Sequence, residues 1–281
     1  MKKILSILML ASTFALRLAG QEIRAYRGEV PDSYNFLLYT PEGYSALPDS
    51  AKALKPLVLF LHGGSLIGNN LKDSMRYGTM HAIRSGKDLD AVVLNPQTAG
   101  KAKGDAGAWD PDKLVRLLDW TAEHFPYDSC RVYVLGMSTG GFGTMNFVNA
   151  HPERVAAAMA LCGGCSSRTV DGLAEVPLWI IHGTADRKVR LAESQRVYDT
   201  MVAQGKARRV IFDILVGYDH ASLARYFYMQ MTYDWLFSHS KKQPGHPVNR
   251  DITLQYPTAA NAYSDNDKDF ARSVRFIDSG K

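Results

Sequence analysis

The feature of this sequence that most constrains its fold is a series of short apolar runs separated by helical patterns. Three of these runs, "LVLFL", "VYVL" and "PLWII", are almost entirely apolar, as expected for strands buried on both faces of a sheet. Alternation of strands and helices from residue 56 to residue 237 predicts an α/β fold with a mostly parallel central sheet and helices on both faces. The predicted strands are Asn35–Thr40, Pro56–Leu61, Ala91–Asn95, Arg131–Leu135, Val155–Leu161, Val176–Ile181 and Arg209–Leu215.

Helical patterns fill the intervals between these runs. One begins at Asp110 and Pro111, an N-cap carboxylate followed by a proline in the first turn, and apolar residues at helical spacing follow. Glu22–Gly28 and Asn35–Thr40 precede the first buried run and are predicted to pair as an antiparallel edge. The other predicted helices are Ser138–Ala150, Leu191–Gln204 and His220–Phe237.

The N-terminus has the pattern of a secretory signal peptide. Lys2 and Lys3 precede an apolar run from Ile4 to Leu16, and small residues follow up to Gly20. The run is too short to span a bilayer comfortably. We therefore expect residues 1–20 to be a signal peptide that directs export to the periplasm or beyond the cell, with no stable membrane anchor.

The charge of the chain does not favour a polyanionic partner. The 281 residues include 33 Lys and Arg against 28 Asp and Glu. Three of the basic residues lie within residues 1–20, which contain no acid, so 30 basic and 28 acidic side chains remain after cleavage. Basic clusters with interleaved aromatic residues are missing from the sequence, so nucleic acid is not expected as a partner.

The three cysteines, Cys130, Cys162 and Cys165, raise the question of a redox or metal site. The Cys162-x-x-Cys165 spacing occurs in redox pairs and in half of many zinc sites. Here the pair follows a strand-like run instead of opening a helix, and no second pair of this spacing exists. We interpret both as small residues at a strand end, with a local disulfide left open, and expect neither a metal nor a cofactor.

After Ser240 the composition becomes polar, with mixed charge and no sustained hydrophobic period. We therefore predict a catalytic domain over residues 21–240. Residues 241–281 are predicted to form a polar tail or linker, with at most a short strand near Ser273–Ile277. Truncation before residue 241 is expected to preserve the catalytic geometry.

A candidate nucleophile, Ser138, lies directly after a buried run and directly before a helical pattern. Gly136 and Gly140 flank it at two residues on either side, which predicts a nucleophile elbow because glycine permits close approach of strand and helix. A serine needs a base and an orienting acid, in the order Ser, acid, His along such a chain.

Both partners follow in that order. Asp186 comes after the run "VPLWII", and His220 comes after the last predicted strand, so both belong to the carboxyl edge of the sheet. We predict Ser138 as nucleophile, His220 as general base and then acid, and Asp186 as the residue that holds the imidazole tautomer. Asp219 and Asp213 are less suitable acids, since Asp219 would point away from its neighbour and Asp213 is mid-strand.

Acyl transfer also needs two hydrogen-bond donors for the developing oxyanion. The Thr139 amide, next to the nucleophile, is predicted to supply one. The other is assigned to Gly64, with Ser65 as the alternative, in the loop His62-Gly-Gly-Ser65 after Pro56–Leu61. His62 is expected to organise this loop without titrating in catalysis.

The motifs "LFLHGG", "GMSTGG", "IIHGTAD" and "YDH", in this order, resemble those of the α/β-hydrolase superfamily. They are similar to exported bacterial esterases of the phospholipase/carboxylesterase, dienelactone-hydrolase and feruloyl or acetyl-xylan esterase kinds. The resemblance covers roughly residues 22–240. It implies the α/β-hydrolase fold and a serine esterase that needs no cofactor, acting on short acyl or aryl esters, carbohydrate-linked esters among them.

Substrate signals are few. Only 14 residues separate the strand ending at Leu161 from the one starting at Val176, so no lid domain fits there and long-chain lipids are disfavoured. Trp109, before a helix at the catalytic edge, is a candidate wall for a sugar or aryl group, with packing as the alternative. Gln97 is a second candidate substrate contact, with a solvated loop as the alternative.

Other functions compete with the esterase. A prolyl-oligopeptidase-like serine peptidase shares the Ser-x-Gly-Gly pattern but ordinarily carries a gating domain, for which the region before the first strands has no room. A non-catalytic binding protein on a hydrolase scaffold would be expected to have lost Ser138 or His220. A zinc or redox enzyme built on the cysteine pair is the least favoured.

Overall fold

The structure, a computed structural model, describes residues 20–99, 108–252, 260–264 and 266–279. Except for Gly20, the predicted signal peptide therefore lies outside the described residues. The strands of the described part are β1 Glu22–Tyr26, β2 Asn35–Thr40, β3 Leu57–Leu61, β4 Val92–Gln97, β5 Val132–Met137, β6 Ala157–Leu161, β7 Leu178–Gly183, β8 Val210–Leu215 and β9 Arg275–Ile277. The helices are α1 Asp49–Lys52, α2 Thr79–Arg84, α3 Pro111–His124, α4 Thr139–Ala150, α5 Leu191–Ala203, α6 Gln230–Phe237 and α7 Lys268–Ser273.

The strands form one sheet in the order β8-β7-β6-β5-β3-β4-β2-β1-β9. Strands β4, β3, β5, β6, β7 and β8 are parallel neighbours, whereas β2 runs antiparallel to both β4 and β1. The chain leaves β3 for β4 on one side and returns to β5 on the other. This reversal opens a crevice at the carboxyl ends of β3 and β5, where open α/β sheets bind ligands.

Two apolar layers cover the sheet, one on each face. The pleat of β3 divides its side chains between them: Val58 and Phe60 belong to one layer, and Leu57, Leu59 and Leu61 to the other. Each of these five side chains is fully buried. Burial on both faces explains why the run "LVLFL" has no polar alternation, and the predicted mostly parallel sheet is confirmed.

The start of α3 follows from its sequence. Asp110 is the N-cap, and its carboxylate accepts hydrogen bonds from the amides of Asp112 and Lys113 at 2.9 and 3.3 Å. Pro111 occupies the first helical position, where the missing N–H costs nothing. Among the described residues no helix has both the length and the apolar character needed to cross a bilayer.

The predicted helix His220–Phe237 is wrong as a single element. Ser222–Tyr228 forms a 3₁₀ helix, Met229 is extended, and α6 begins only at Gln230. A buried hydrogen bond from Thr232 Oγ1 to Tyr226 O, at 2.6 Å, holds the break. Tertiary packing of this segment against the sheet overrides the continuous helical pattern of its sequence.

The interpretation of residues 241–281 as an extended tail also needs correction for its described part. Asn249 lies on α6, donating from its amide to His239 Nε2 at 2.9 Å and accepting from Trp235 Nε1 at 2.9 Å. Strand β9 agrees with the short strand predicted near Ser273–Ile277, but it pairs in parallel with β1 and so extends the sheet. These segments form local contacts that their polar composition does not reveal.

The two neighbouring cysteines are not bridged. Cys162 and Cys165 form no disulfide with each other, and they lie in the apolar layers on opposite faces of the sheet. Burial raises the pKa of the Cys165 thiol, so this group is held in its protonated form. The structure thus agrees with their interpretation as small buried residues at a strand end.

Candidate active site

The candidate nucleophile sits on a strained turn between β5 and α4. Ser138 has φ 59° and ψ −125°, a conformation that L-residues rarely adopt, and its amide donates to Leu161 O at 2.9 Å. A Cβ at Gly140 would lie 1.8 Å from Leu61 O, and one at Gly136 would lie 2.4 Å from Gly140 O. Both glycines are therefore required sterically, because strand and helix backbones touch at this turn.

The candidate acid and base are paired at the ends of β7 and β8. His220 Nδ1 and Asp186 Oδ2 are 2.7 Å apart. Asp186 Oδ1 accepts from the amides of Lys188 at 2.8 Å and Val189 at 3.0 Å. The carboxylate therefore has acceptor bonds on both oxygens, which fixes its orientation and that of the imidazole.

The electrostatic balance at Asp186 favours the carboxylate. Burial of its side chain acts to raise the pKa, but the hydrogen bonds from His220 and from the amides of Val189 and Lys188 outweigh burial. The net pKa lies below the usual aspartate value. Asp186 is therefore charged at neutral pH, as a residue that stabilises an imidazolium must be.

The loops that carry the acid and the base are tied to each other. The amide of Ala185 donates to Tyr218 O at 3.0 Å, and Gly217 N donates to Thr184 Oγ1 at 2.9 Å. A Cβ at Gly183 would lie 2.1 Å from Tyr218 O, so glycine permits this approach. The hydrogen bond between His220 and Asp186 thus rests on two joined loops.

Ser138 and His220 line one cleft of about 570 Å³, a size suited to a small ligand. It lies at the sheet reversal described above, and Asp186 is buried behind His220. Among the residues that the structure describes, the other lining residues are apolar or neutral except for one lysine. They are Gly63, Gly64, Ser65, Tyr77, Met137, Thr139, Lys188, Val189, Ala221 and Ala224.

The predicted oxyanion donors border the same cleft. Thr139 is the first residue of α4, where backbone amides have no intrahelical acceptor. A Cβ on Gly64 would lie 3.4 Å from Thr139 Oγ1, so the two segments are in contact. Ser65 also lines the cleft and stays the alternative to Gly64. The Gly63 amide is already used, because it donates to the Tyr77 hydroxyl at 2.6 Å.

His62 holds the loop that carries these donors. Its Nδ1 donates to Gly63 O at 2.8 Å, and its Nε2 accepts from Thr98 N at 3.3 Å. These partners require the neutral tautomer with the proton on Nδ1. Burial lowers the pKa of His62 to about 4, so the imidazole stays neutral at physiological pH.

Comparison with known proteins identifies the fold that carries this site. Residues 45–153 match the family model BD-FAE, a stretch of less than half the chain that includes Gly64 and Ser138 and ends before Asp186. A thermostable esterase of known structure covers 78% of the chain at 21% identity, with a TM-score of 0.62. The chain has the α/β-hydrolase fold. The predicted fold and the resemblance to esterases that share it are confirmed.

Two further relatives of this hydrolase fold differ in their stated activities. The feruloyl esterase module from Clostridium thermocellum covers 80% of the chain at 13% identity, with a TM-score of 0.55. Acylamino-acid-releasing enzyme 2 of Oryza sativa subsp. japonica is 25% identical over 133 residues, which are 44% of this chain. That match spans 17% of the rice enzyme, and the chain covers 63% of the thermostable esterase and 90% of the feruloyl esterase module.

Both predicted substrate contacts, Trp109 and Gln97, are buried in the structure. Trp109 is 3% exposed, packs on the backbone of Gly143, and donates from Nε1 to His62 O at 3.2 Å. Gln97 is equally buried, and its Nε2 donates to Leu66 O at 2.9 Å. Neither lines the cleft of Ser138. Both side chains stabilise the loop that carries the predicted oxyanion donor Gly64, because their N–H groups donate to carbonyl oxygens on either side of it.

The structure adds cleft residues that sequence reasoning missed. Tyr77 comes from the segment before α2, and its hydroxyl fixes the amide of Gly63. Burial raises the pKa of Tyr77, so its phenol stays protonated. Lys188, only two residues after Asp186, could have been found by its place in the acid loop. Tyr77 carries no comparable signal, because it is distant in sequence from every motif.

Cys162 lies close to the candidate acid and base. Its sulfur and the ligand atoms of Asp186 and His220 all lie within 4.8 Å of one another. A thiolate, an imidazole and a carboxylate are donors that a soft metal ion accepts. Such an ion would compete with the His220–Asp186 hydrogen bond, since it would use the same atoms.

Proposed function

We propose that this protein is a serine hydrolase that cleaves carboxylic esters through Ser138, His220 and Asp186. The observation that carries the proposal is the 2.7 Å hydrogen bond between His220 and Asp186 beside a cleft that also holds a serine on a strained strand-to-helix turn. A buried carboxylate bound to Nδ1 of an imidazole that shares a cleft with a serine is the arrangement expected to activate that serine.

In the first half of the reaction, Ser138 Oγ attacks the ester carbonyl carbon as His220 Nε2 takes its proton. The amides of Thr139 and of Gly64 or Ser65 stabilise the oxyanion of the tetrahedral intermediate. His220 then gives the proton to the departing alkoxide, which leaves as an alcohol, and the acyl group stays on Ser138. In the second half, His220 activates water, and the acid product is released.

The fold and cleft favour short acyl or aryl esters, including esters linked to carbohydrate. The segment between β6 and β7 spans residues 162–177, which form no lid over the cleft in the structure. The cleft has a volume of about 570 Å³ and a mainly apolar lining, and thus suits a compact acyl group. The feruloyl esterase neighbour supports a carbohydrate-linked substrate as one member of this class.

A serine peptidase is the second candidate, favoured by the match to an acylamino-acid-releasing enzyme. Both activities use the same three residues, so only turnover separates them. The test is a panel of nitrophenyl esters of increasing acyl length, methyl ferulate, acetylated xylan and an N-acetylamino acid anilide. Ser138→Ala is the blank. Ester rates that fall with acyl length support the esterase, and anilide turnover above every ester would transfer the assignment to the peptidase.

We further propose that the protein is exported to the periplasm or the medium. The support is the order of Lys2-Lys3, the apolar run and the small residues before Gln21. N-terminal sequencing of the protein from fractionated cells tests this. A mature chain that begins near Gln21 is the expected result, and an intact Met1 in the cytoplasm would contradict it.

A further inference from the structure

The described lining of the cleft includes a lysine on the same side as the candidate base. Among the described lining residues, Lys188 alone carries a permanent charge, whereas the others are apolar or neutral. A cation that faces an otherwise apolar pocket has one general use in recognition, which is to fix the orientation of a ligand by an ion pair.

The position of Lys188 is determined by the acid loop. Its backbone amide donates to Asp186 Oδ1 at 2.8 Å, and the next amide, of Val189, donates to the same oxygen at 3.0 Å. The backbone of Lys188 is therefore fixed in position relative to the Asp186 carboxylate that orients His220. A ligand group bound by this lysine would be positioned relative to the candidate base.

The ammonium of Lys188 is not used by the part of the chain that the structure describes. No ion pair or side-chain hydrogen bond joins it to a described residue, in contrast to Lys55, whose Nζ is 2.6 Å from Asp90 Oδ1. The carboxylates of the two loops that carry the candidate acid and base have other partners. Asp186 binds His220, and Asp219 Oδ1 accepts from the amide and hydroxyl of Ser222 at 2.8 and 2.6 Å.

A second cation lies on the oxyanion side of the cleft. Arg76 donates from Nη2 to the carbonyl oxygen of Ser65, a lining residue, at 2.5 Å. Positive charge therefore borders the cleft on two loops. A negatively charged substrate would be attracted into it, and the ion pair with the exposed Lys188 would decide how that substrate is oriented.

The side of the substrate that Lys188 meets follows from the reaction. His220 must give its proton to the leaving alkoxide, so the cleft wall around His220 faces the alcohol part of the ester. Lys188 belongs to the loop that binds His220, and it lines the cleft together with Ala221 and Ala224 from the segment after His220. The acyl group lies toward the oxyanion donors instead.

We infer that Lys188 is a specificity-determining residue that binds a carboxylate on the alcohol part of the ester. The substrate class is thereby narrowed to acyl esters of acidic alcohols, such as an O-acylated acidic sugar or hydroxy acid. This inference rests on the proposed ester hydrolysis at Ser138. Since the carboxylate is bound before and during the reaction alike, Lys188 acts on KM more than on kcat.

The test compares 4-nitrophenyl acetate with its anionic analogue, 3-carboxy-4-nitrophenyl acetate, which carries the carboxylate on the leaving group. The measured quantity is the ratio of kcat/KM, anionic over neutral, so that effects on the shared acyl chemistry cancel. Lys188→Gln is expected to lower this ratio about fivefold, which corresponds to the largest contribution usual for a partly exposed ion pair. The loss should appear as a higher KM for the anionic ester. Lys188→Glu is expected to lower the ratio further, and Lys188→Arg to retain it within about twofold.

Arg187→Gln is the matched control, because it removes a neighbouring positive charge that does not line the cleft. It should leave the ratio unchanged. Raising the ionic strength to about 1 M, where the Debye length is about 3 Å, should bring the wild-type ratio close to that of Lys188→Gln.

The outcomes separate this inference from the proposed function. Wild type that hydrolyses neither ester contradicts the esterase, and with it this inference. Ser138-dependent hydrolysis of both esters with a ratio unaffected by Lys188→Gln overturns the carboxylate site alone. Equal losses in Arg187→Gln and Lys188→Gln would also overturn it, since they would indicate a diffuse field without a binding contact.

Discussion

At the scale of single residues, the carboxylate of Asp186 makes the sharpest prediction. In the proposed mechanism its charge stabilises the imidazolium that forms on His220, and its hydrogen bond to Nδ1 selects the imidazole tautomer. Asp186→Asn retains the size of the side chain and removes the charge. We expect kcat for ester hydrolysis to fall by about 10³–10⁴, with KM changed far less.

Initial-rate kinetics of the purified variant, with circular dichroism to verify folding, would measure this effect. Asp219→Asn is the control, because Asp219 is exposed and its carboxylate binds Ser222 instead of His220. Its rate should stay within about twofold of wild type. A larger loss in Asp219→Asn than in Asp186→Asn would reassign the orienting acid.

The lowered pKa of His62 predicts how the free energy of unfolding depends on pH. Its pKa is lowered by burial to about 4, below the value of about 6.5 in an unfolded chain. Between these values the unfolded state binds a proton that the folded state does not, so the free energy of unfolding must fall as the pH decreases from about 6.5 to about 4. Stability is highest above this window, and His62 accounts for roughly 2–3 kcal/mol of the loss.

Urea denaturation at several pH values tests this. The amide nitrogen of Asn can replace Nδ1, and His62→Asn should therefore reduce the number of protons taken up on unfolding near pH 5 by about one. The buried His182 and His239, whose pKa values burial also lowers, continue to contribute in the variant. An unchanged pH dependence would show that His62 titrates normally in the folded protein.

At the scale of elements, the contact between β3, β5 and α4 tolerates an added side chain least. A Cβ at Gly140 would overlap Leu61 O, which is backbone in the next strand and cannot turn away. Gly140→Ala is expected to destabilise the fold by about 3 kcal/mol or more, or to abolish soluble expression. Gly68→Ala is the matched control, since its Cβ would meet only Gln97 Nε2, at 3.7 Å, with ordinary backbone torsions.

Denaturation midpoints of the two variants provide the comparison. We expect Gly68→Ala to stay within about 0.5 kcal/mol of wild type. If both variants lose stability equally, the close approach at the nucleophile turn is not the cause. The same approach explains why Ser138 has a positive φ, because the turn must reverse the chain within the space that the two glycines leave.

At the scale of the whole molecule, the last described segment, residues 266–279, stabilises the edge of the sheet that lies far from the candidate site. Strand β9 is five strands away from β5, about 24 Å at the usual spacing. Arg27 forms a bidentate ion pair with Asp278, at 2.6 and 3.0 Å, beside β1 and β9. Removing residues 267–281 should therefore lower the melting temperature by several degrees while kcat at 25 °C is unchanged.

Truncation after residue 240 should be more costly. It also removes the contacts of Asn249 with α6 and those of Arg250, whose guanidinium donates to Val210 O at 3.2 Å in β8. We expect a lower melting temperature than for the shorter truncation, with the catalytic geometry preserved in the molecules that fold. A folded truncated protein without esterase activity would contradict that expectation.

Local patterns in the sequence were enough to predict the α/β alternation, the glycine-flanked turn at Ser138 and the order of Ser138, Asp186 and His220. These follow from local rules: apolar runs specify buried strands, glycines specify close turns, and residues after parallel strands meet at one edge of the sheet. The strand near residue 275 was also predictable from its sequence, although its partner β1 was not.

The directions in which the other site side chains face could not be predicted before the fold was known. Trp109 and Gln97 lie at the catalytic edge as predicted, but they turn inward, because the loop held by His62 offers buried carbonyls that their N–H groups must satisfy. Tyr77 reaches the cleft from a segment whose sequence carries no catalytic motif. Lys188 follows Asp186 by two residues, but the motif does not reveal that its side chain lines the cleft. The direction of a side chain depends on partners that are distant along the chain, and those partners are known only once the chain has folded.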